Sequence, residues 1–278
     1  MSSQYHFGVV GENVSYSKSA DIFKAAFARS GQSVSCDLLS IPPERLCEKV
    51  GMLKAGFYRG LSVTIPYKTE VISSLDTLDS SADRIQAVNS VCLKDGKLTG
   101  FNTDIDGFVY PLSSLADQTS VLMVGYGGAA KGVAYALTER LGFESIIVAG
   151  HSQDRLDKFK QRMESILSID NIETVTFDRL DSLGMGDISL IVNCTPLGGP
   201  LIPDQSPFSE QFNWPKDAIY YDLNYNKENQ IIVTAQQNGL KTIDGSSMLV
   251  AQALKSIEIW TGETFPFDPV YSAVFGKV

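Results

Sequence analysis

The chain has 278 residues, 44% of them hydrophobic and 20% charged, which is ordinary for a globular protein with room for two domains. Its net charge of −9 argues against a nucleic-acid partner, because phosphate backbones are bound by clustered Lys and Arg. Apolar runs fall short of the roughly 20 residues of a membrane span, and residues 1–7 lack the pattern of a signal peptide. We therefore expect a cytoplasmic protein without a membrane partner.

The four cysteines, Cys36, Cys47, Cys92 and Cys194, include no Cys-x-x-Cys pair, and the chain has only two histidines. This composition is a poor source of zinc ligands, so no metal site is predicted. We expect the cysteines to be reduced and mostly buried, as in cytosolic proteins.

The first hundred residues alternate predicted strands and helices. Short apolar runs predict strands at 7–11, 36–41 and 60–65, and helical periodicity predicts helices at 20–30 and after Pro42. Residues 90–101 carry Asp95-Gly96 between two apolar segments, which is typical of a β-hairpin.

The second half of the chain continues the alternation. Strands are predicted at 121–124, 145–149, 189–193 and 218–222, and helices at 129–141, 152–167 and 248–260. This order is typical of a doubly wound parallel sheet, so we predict an α/β protein.

The turn after the strand at 121–124 reads Gly125-Tyr126-Gly127-Gly128-Ala129-Ala130, which fits G-x-G-x-x-A between a strand and a helix. Glycines let the backbone approach a pyrophosphate, and the start of a helix offers free N–H groups and a positive dipole end. The pattern predicts a dinucleotide site. The alternative is a tight turn that binds no ligand.

The residues after the next strand bear on the choice of cofactor. An NAD site usually has Asp or Glu at this point, but the sequence here is Ala149-Gly150-His151-Ser152, followed by Arg155. A missing acid and a nearby cation favour NADP and leave NAD possible. Arg155 as a solvated residue of the first helical turn is the alternative.

Two ionisable residues end short apolar or small-polar strips, Lys68 after residues 62–67 and Asp104 after residues 100–103. A lysine and an aspartate placed this way are suited to share a substrate pocket and move a proton. Together with a dinucleotide site they indicate a dehydrogenase. Taken singly, these residues have ordinary explanations: Lys68 as an exposed loop lysine, Asp104 as the cap of a helix starting at Asp106, and Asn89 as a turn residue. Ser19 has one as well, as the N-cap of a helix beginning near Asp21, whereas hydroxyls in the serine-rich loop at 15–19 are also suited to bind a carboxylate.

Several strips occur together in a characteristic order. They are Ser17-Lys18-Ser19, Val63-Thr64-Ile65-Pro66-Tyr67-Lys68, Ala87-Val88-Asn89-Ser90, Asn102-Thr103-Asp104, Gly125-Tyr126-Gly127-Gly128, Asn193-Cys194-Thr195-Pro196-Leu197-Gly198 and Met248-Leu249-Val250-Ala251-Gln252. From about Gly8 to Gly262, the chain resembles the shikimate dehydrogenase family, which includes quinate/shikimate dehydrogenases.

This resemblance implies two domains with the active site in the cleft between them. An N-terminal α/β substrate domain would comprise residues 1–105, completed by C-terminal helices at 245–278. Residues 106–244 would form a Rossmann-like doubly wound NADP-binding domain. Relatives occur as monomers and homodimers, and their partners are small molecules.

The resemblance also implies an activity and its residues. The reaction is the reversible NADP(H)-dependent reduction of 3-dehydroshikimate to shikimate, in chorismate and aromatic amino acid biosynthesis. Lys68 and Asp104 match the catalytic pair. The positions that match substrate contacts are Ser17, Ser19, Thr64, Asn89, Tyr225 and Gln252. Those that match the cofactor site are Gly125, Gly127, Gly128, Ala129, His151, Arg155, Thr195 and Gly245.

The chain also departs from the family pattern. Tyr16 stands where the family often has His, Ser62 replaces an Asn, and residues 150–152 replace an Asn-Arg-Thr phosphate clamp. These departures leave two alternatives, a quinate or related ring-acid dehydrogenase using NAD, and a binding homologue without turnover. The intact Lys68 and Asp104 argue against the second.

Overall fold

The fold is described from a computed structural model that covers residues 4–113, 115, 120–167, 169, 171–226 and 229–276. The chain divides into two compact units. The first comprises Met1–Tyr110 together with Ser247–Val278, and the second comprises Pro111–Ser246. Each unit has its own six-stranded sheet.

The described strands fall at the positions that hydrophobic runs predict, with further short strands between them. They are β1 (Gln4–Gly11), β2 (Ser33–Ser40), β3 (Gly60–Val63), β4 (Thr77–Leu78), β5 (Ser90–Lys94), β6 (Lys97–Phe101), β7 (Ser120–Val124), β8 (Ser145–Gly150), β9 (Ile172–Thr176), β10 (Ile188–Asn193), β11 (Ile219–Asp222) and β12 (Lys241–Ile243).

The α-helices of the described ranges follow the same alternation. They are α1 (Ser19–Phe27), α2 (Leu46–Lys54), α3 (Ser80–Ile85), α4 (Asp104–Val109), α5 (Gly128–Tyr135), α6 (Gln153–Glu164), α7 (Gln230–Gln237), α8 (Ser246–Thr261) and α9 (Phe267–Phe275).

The sheet of the first unit is mixed, with the order β2-β1-β3-β5-β6-β4. Strand β1 pairs in parallel with β2 and β3, whereas β5 is antiparallel to both β3 and β6. The predicted hairpin is confirmed as β5 and β6. Both turn residues have positive φ, 50° at Asp95 and 76° at Gly96, as a tight two-residue hairpin turn requires.

One face of this first sheet is buried beneath α1 and α8. Trp260 on α8 is 2% exposed, and its ring centroid lies 5.1 Å from that of Phe7 and 5.6 Å from that of Phe23. A Cβ atom built on Gly60 would come within 2.1 Å of Trp260 Cδ2. Glycine at position 60 therefore lets α8 pack directly on β3, which joins a late segment of the chain to the N-terminal sheet.

The sheet of the second unit is entirely parallel, with the order β12-β11-β10-β7-β8-β9. Read from β9, this is the doubly wound order 3-2-1-4-5-6, in which the direction of winding reverses between the first and fourth strands. Those strands are β7 and β10. The predicted α/β class and the doubly wound second half are confirmed.

Three helices end earlier than the sequence predicts, among them α6, which ends at Glu164 rather than at Leu167. Helix α1 ends at Phe27 rather than near Ser30, because the Ser30 hydroxyl and amide both donate to the Phe27 carbonyl and replace the helical bond. Helix α5 ends at Tyr135, and Ala136–Arg140 form a π-helical turn in which the Leu141 amide donates to the Ala136 carbonyl.

The cysteines are free thiols, but the expectation that most are buried is wrong. Cys92 is buried, Cys36 and Cys194 are partly buried, and Cys47 is exposed. Cys47 lies on α2 next to the buried Leu46, so helical periodicity turns its side chain to solvent. Within the described ranges, none of the helices has the length and apolar character needed to cross a membrane.

Candidate active site

Topology brings the predicted substrate residues of the first unit to one edge of its sheet. Strands β1, β3 and β6 run in the same direction and β5 runs against them, so three strand ends and one strand start meet at this edge. The residues placed there are Ser17 and Ser19 after β1, Thr64 and Lys68 after β3, Asn89 before β5, and Asp104 after β6.

Lys68 and Asp104 form a nearly buried ion pair. Lys68 Nζ lies 2.5 Å from Asp104 Oδ2, and the two side chains are 12% and 10% exposed. Asp104 is the first residue of α4, where the positive end of the helix dipole favours a carboxylate. No other hydrogen bond to the Lys68 ammonium occurs within the described part of the chain, so its remaining protons are available to a ligand.

Asn89 completes the coordination of the carboxylate. Its Nδ2 donates to Asp104 Oδ1 over 2.8 Å, and its Oδ1 accepts the backbone amide of Thr103 over 2.7 Å. Backbone pairing fixes Asn89 on both sides, since its amide donates to Phe101 O and its carbonyl accepts from Val63 N. The alternative interpretation of Asn89 as a turn residue is therefore wrong.

Helix α8 supplies a second layer of polar side chains. Gln252 Oε1 accepts from Asn89 Nδ2 at 3.3 Å and from the Thr103 hydroxyl at 3.5 Å, while Ser256 Oγ lies 3.0 Å from Thr103 Oγ1. Sequence reasoning missed Thr103 and Ser256 as members of this cluster. Their signal was available, because Thr103 adjoins Asp104 and Ser256 follows Gln252 by one helical turn.

A glycine on α4 sets the approach of the two helices. A Cβ atom on Gly107 would lie 2.7 Å from Met248 O and 2.8 Å from Gln252 Cβ. Only glycine at this position allows α8 to bring Gln252 to Asn89 and Thr103. Gly107 thus positions the cluster without contributing a side chain to it.

The serine loop lies at the same sheet edge. Ser17 Oγ accepts the Ser19 amide at 3.3 Å and donates to Ser19 Oγ at 3.1 Å. Ser19 is the first residue of α1, preceded by Lys18 as N-cap, so the alternative interpretation of Ser19 as the cap of a helix starting near Asp21 is wrong. Thr64 is half-buried beyond β3, and its amide donates to the Val10 carbonyl.

In the second unit, the glycine turn lies between β7 and α5, at the point where the sheet reverses its winding. Gly125 has φ of 107°, which favours glycine, and a Cβ there would lie 2.9 Å from Thr195 Cγ2. Gly127 has extended backbone, and a Cβ there would meet no atom within 4 Å. The packing around position 127 leaves room for a side chain, and equally for a ligand that approaches the backbone.

The start of α5 also fits a phosphate group. Its N-cap is Gly127, which has no side chain to satisfy the first amides, and Gly128 and Ala129 open the helix. Free amides and the helix dipole at this end suit an anion. The residues present therefore fit the pyrophosphate of a dinucleotide.

Other predicted cofactor residues lie at the carboxyl ends of neighbouring strands. Thr195 follows β10, and its side chain packs on Gly125. His151 follows β8, is exposed, and lies 3.0 Å from Tyr126 OH, while Arg155 is exposed on the first turn of α6. Gly245 follows β12, and its amide donates to Asn224 O.

The last predicted substrate residue, Tyr225, lies in the second unit. It is half-buried in the segment after β11, whereas the other predicted substrate residues lie in the first unit. Within the described ranges, His, Cys, Asp and Glu side chains form no group of three or more suited to a metal ion.

Comparison with known families matches both ends of the first unit. Residues 9–91 match the shikimate dehydrogenase substrate binding domain. Residues 245–275 match the shikimate 5′-dehydrogenase C-terminal domain.

Curated relatives and solved structures extend the match to nearly the whole chain. A shikimate dehydrogenase (NADP(+)) of Clostridium botulinum is 33% identical over 92% of this chain and 96% of its own length. One of Microcystis aeruginosa is 34% identical over 96% of this chain and 95% of its own.

Two solved structures agree in fold. A shikimate dehydrogenase in complex with NADP+ has a TM-score of 0.89 and 27% identity, covering 99% of this chain and 96% of that one. The Thermus thermophilus enzyme in complex with NADP(H) and shikimate has a TM-score of 0.83 and 28% identity, covering 97% and 98%. The identity to curated relatives over nearly the whole chain decides the assignment: this protein belongs to the shikimate dehydrogenase family.

Proposed function

We propose that this protein is an NADP-dependent shikimate dehydrogenase, an oxidoreductase that reversibly reduces 3-dehydroshikimate to shikimate. The observation that carries the proposal is the nearly buried contact of Lys68 with Asp104, at 2.5 Å, on the same sheet edge as a pair of serines. Curated relatives that match over nearly their whole length carry the name shikimate dehydrogenase (NADP(+)). The product belongs to chorismate and aromatic amino acid biosynthesis.

The chemistry divides between the cofactor and the residues of the first unit. Bound NADPH supplies a hydride to the ketone carbon. The Lys68 ammonium donates a proton to the ketone oxygen, so that C=O, hydride and proton give the secondary alcohol. Asp104 holds the ammonium through Oδ2, and Asn89 holds Asp104 through Oδ1, so the proton donor is oriented before the ring arrives.

Substrate binding is assigned to hydroxyl and amide side chains. Ser17 and Ser19 lie beside each other at the start of α1 and suit the ring carboxylate. Thr64, Asn89 and Gln252 are assigned to ring hydroxyls, and Tyr225 is assigned as a further substrate contact because it matches a family position. Asn89 and Gln252 are already hydrogen-bonded to each other, so they present a fixed polar surface.

Cofactor binding is assigned to the second unit. Gly125, Gly127, Gly128 and Ala129 form the pyrophosphate turn, with Thr195 and Gly245 on neighbouring strand ends. His151 and Arg155 follow β8, where a dinucleotide site recognises the adenosine ribose. Residues 150–152, at the end of β8, include no acid, and Asp154 in the first turn of α6 pairs with Lys158. The missing acid and the nearby Arg155 favour the 2′-phosphate of NADP over the free hydroxyl of NAD.

A steady-state comparison of shikimate and quinate, each with NADP+ and NAD+, tests the proposal by absorbance at 340 nm. We expect the highest kcat/KM for shikimate with NADP+. A higher value for quinate or NAD+ would instead support a ring-acid dehydrogenase of altered specificity, to which Ser62 and His151 point. Ligand-induced thermal shifts without turnover would identify a binding homologue.

The proposal extends to the location of the enzyme in the cell and to its oligomeric state. We place the enzyme in the cytoplasm and expect a monomer or homodimer with small-molecule partners. Sedimentation velocity at several protein concentrations distinguishes the two assembly states.

A further inference from the structure

A carboxylate outside the proposed catalytic pair is the centre of a dense polar network in the second unit. Asp222 ends β11, is 0% exposed, and forms no ion pair with any described residue. Burying a carboxylate without a cation is costly unless hydrogen bonds replace its hydration. The surroundings of Asp222 supply those bonds in unusual number.

Five hydrogen bonds converge on the two carboxylate oxygens. Asn193 Nδ2 and Asn229 Nδ2 each donate to Oδ2 at 3.0 Å, and the Tyr220 hydroxyl donates to it at 2.7 Å. The backbone amide and Nδ2 of Asn224 both donate to Oδ1 at 2.8 Å. Burial raises the pKa of Asp222, and the donors from Asn193, Tyr220 and Asn224 oppose that rise. The four amide donors and the Tyr220 hydroxyl stabilise the ionised form of the carboxyl group.

Two of the residues that donate to Asp222, Asn193 and Asn224, also hydrogen-bond the segment Thr195–Gly198. Asn193 Oδ1 accepts the Thr195 amide at 3.0 Å and its hydroxyl at 2.6 Å, while Asn193 Nδ2 also donates to Leu197 O. Asn224 Nδ2 donates to Thr195 O at 3.0 Å and to Leu197 O at 3.2 Å. Asn193 and Asn224 therefore hold Thr195 and Leu197, and Asp222 holds both of these asparagines. A third asparagine, Asn226, donates to Gly198 O at 2.9 Å.

This segment forms one wall of the glycine turn. The Cys194 amide donates to Val124 O at 2.8 Å, and Thr195 Cγ2 lies 2.9 Å from where a Cβ atom on Gly125 would stand. A displaced Thr195 would open or obstruct the turn that fits the pyrophosphate. If Thr195–Gly198 were mobile in the free protein, cofactor binding would have to order this segment, and the entropy lost would weaken the affinity for the cofactor.

We propose that Asp222 is a positioning residue that holds Asn193 and Asn224 so that Thr195–Gly198 is preformed against the cofactor turn. The role of the wall in cofactor binding rests on the proposed function, but the ordering of the wall does not. Asp222 touches no reacting atom. It acts through the two asparagines.

Hydrogen exchange of the ligand-free protein, followed by mass spectrometry, tests the ordering. Asp222→Asn places a donor amide against donors and should accelerate exchange across 195–199 at least tenfold relative to the β8 peptide, which serves as internal reference. Asn224→Ala should act in the same direction with the charge retained. The matched control Asp204→Asn makes the same chemical change at an exposed position nearby and should leave exchange unchanged.

A fourth variant separates positioning from general stabilisation. Tyr220→Phe removes one bond to Asp222 but no bond to the segment, so it should lower the thermal midpoint without loosening 195–199. If Tyr220→Phe loosens the segment as much as Asp222→Asn, or if Asp222→Asn leaves it unchanged, the positioning role is overturned.

Calorimetric titration with NADP+ tests the consequence for the cofactor. If only about one-tenth of Asp222→Asn molecules hold the competent wall, Kd rises about tenfold. Loosened exchange with an unchanged Kd would overturn the proposal. Failure of the wild-type protein to bind NADP+ would refute the proposed function, while the exchange comparison would still decide whether Asp222 orders the segment.

Discussion

Asn89 donates its side-chain amide to Asp104 Oδ1 at 2.8 Å, the carboxylate oxygen that Lys68 does not contact. The two residues are 15 apart in the chain and come from a strand start and a helix start. One carboxylate is thereby held from two sides, and Lys68 is aligned through it. Orientation of a proton donor before substrate arrives is a recognised source of rate enhancement.

Asn89→Ala is expected to lower kcat/KM about 10- to 100-fold, because a hydrogen bond to a charged group contributes about 1.5–3 kcal/mol. Asn102→Ala is the matched control, since Asn102 is similarly buried but donates to Ala87 O rather than to the carboxylate. Steady-state kinetics and thermal midpoints of both variants decide the matter. Equal losses of activity in the two would assign Asn89 a structural role only.

Lys68→Met is expected to lower kcat about 10²- to 10⁴-fold with a modest change in KM, the loss typical of a general acid. Asp104→Ala should cost a similar amount, because it frees the ammonium from its fixed position. The double variant should be little worse than either single one, since the residues act as a unit. Additive losses in this double-mutant cycle would show that Lys68 and Asp104 work independently.

Gly127→Ser is expected to weaken NADP+ binding at least tenfold while leaving stability unchanged or slightly higher. Serine is a favourable N-cap, and the position faces open space, so only a ligand close to the backbone would meet the new side chain. Gly184→Ser is the control, because it also faces open space, away from the turn. Titration calorimetry and thermal unfolding measure both effects. Undiminished affinity would remove Gly127 from the cofactor site.

Gly60→Ala is expected to destabilise the protein by about 1–3 kcal/mol or more, because its Cβ would overlap the Trp260 ring. Gly51→Ala is expected to change the stability of the protein in the opposite direction. Gly51 lies exposed within α2 with no atom near its Cβ, so alanine should stabilise by about 0.5–1 kcal/mol through helix propensity. Denaturant unfolding of both variants checks the signs, and a neutral Gly60→Ala would contradict the packing.

Alkylation with iodoacetamide at pH 8 should modify Cys47 long before Cys36. Burial, with a contribution from the charge of Asp37, raises the pKa of Cys36 to about 12, so about one molecule in 10⁴ carries the thiolate at this pH. Cys47 is exposed on α2. Peptide mass spectrometry over time resolves the two sites, and comparable rates would contradict the raised pKa of Cys36.

Much of the site was visible in the sequence because its signals are local. Lys68, Asn89 and Asp104 each lie close to the end or the beginning of a strand, and strand positions follow from short apolar runs. Their ordinary alternatives were equally local, and no pattern around Asn89 distinguished a turn residue from a buried amide. Burial of its amide against Asp104 decided that question in the structure.

The residues that sequence reasoning missed act over long separations. The Ser256 hydroxyl hydrogen-bonds the Thr103 hydroxyl, 153 positions away in the chain. Position 107 must be glycine because a Cβ atom there would overlap the backbone of Met248. A buried aspartate such as Asp222 looks like any strand-end acid until its five donors are assembled around it. The periodicity of apolar residues along one segment does not indicate which distant segments it will contact in the folded protein.

By itself, the sequence determined the α/β alternation, the strand-turn-helix around Gly125 and the order of the strips that mark the family. These depend on neighbouring residues, whose backbone preferences and apolar spacing act within one element. Only the tertiary structure decided which oxygen of Asp104 each partner takes, why Gly60 must lack a side chain and what holds Thr195 beside Gly125. Those depend on surfaces that become neighbours when hydrophobic burial folds distant segments together.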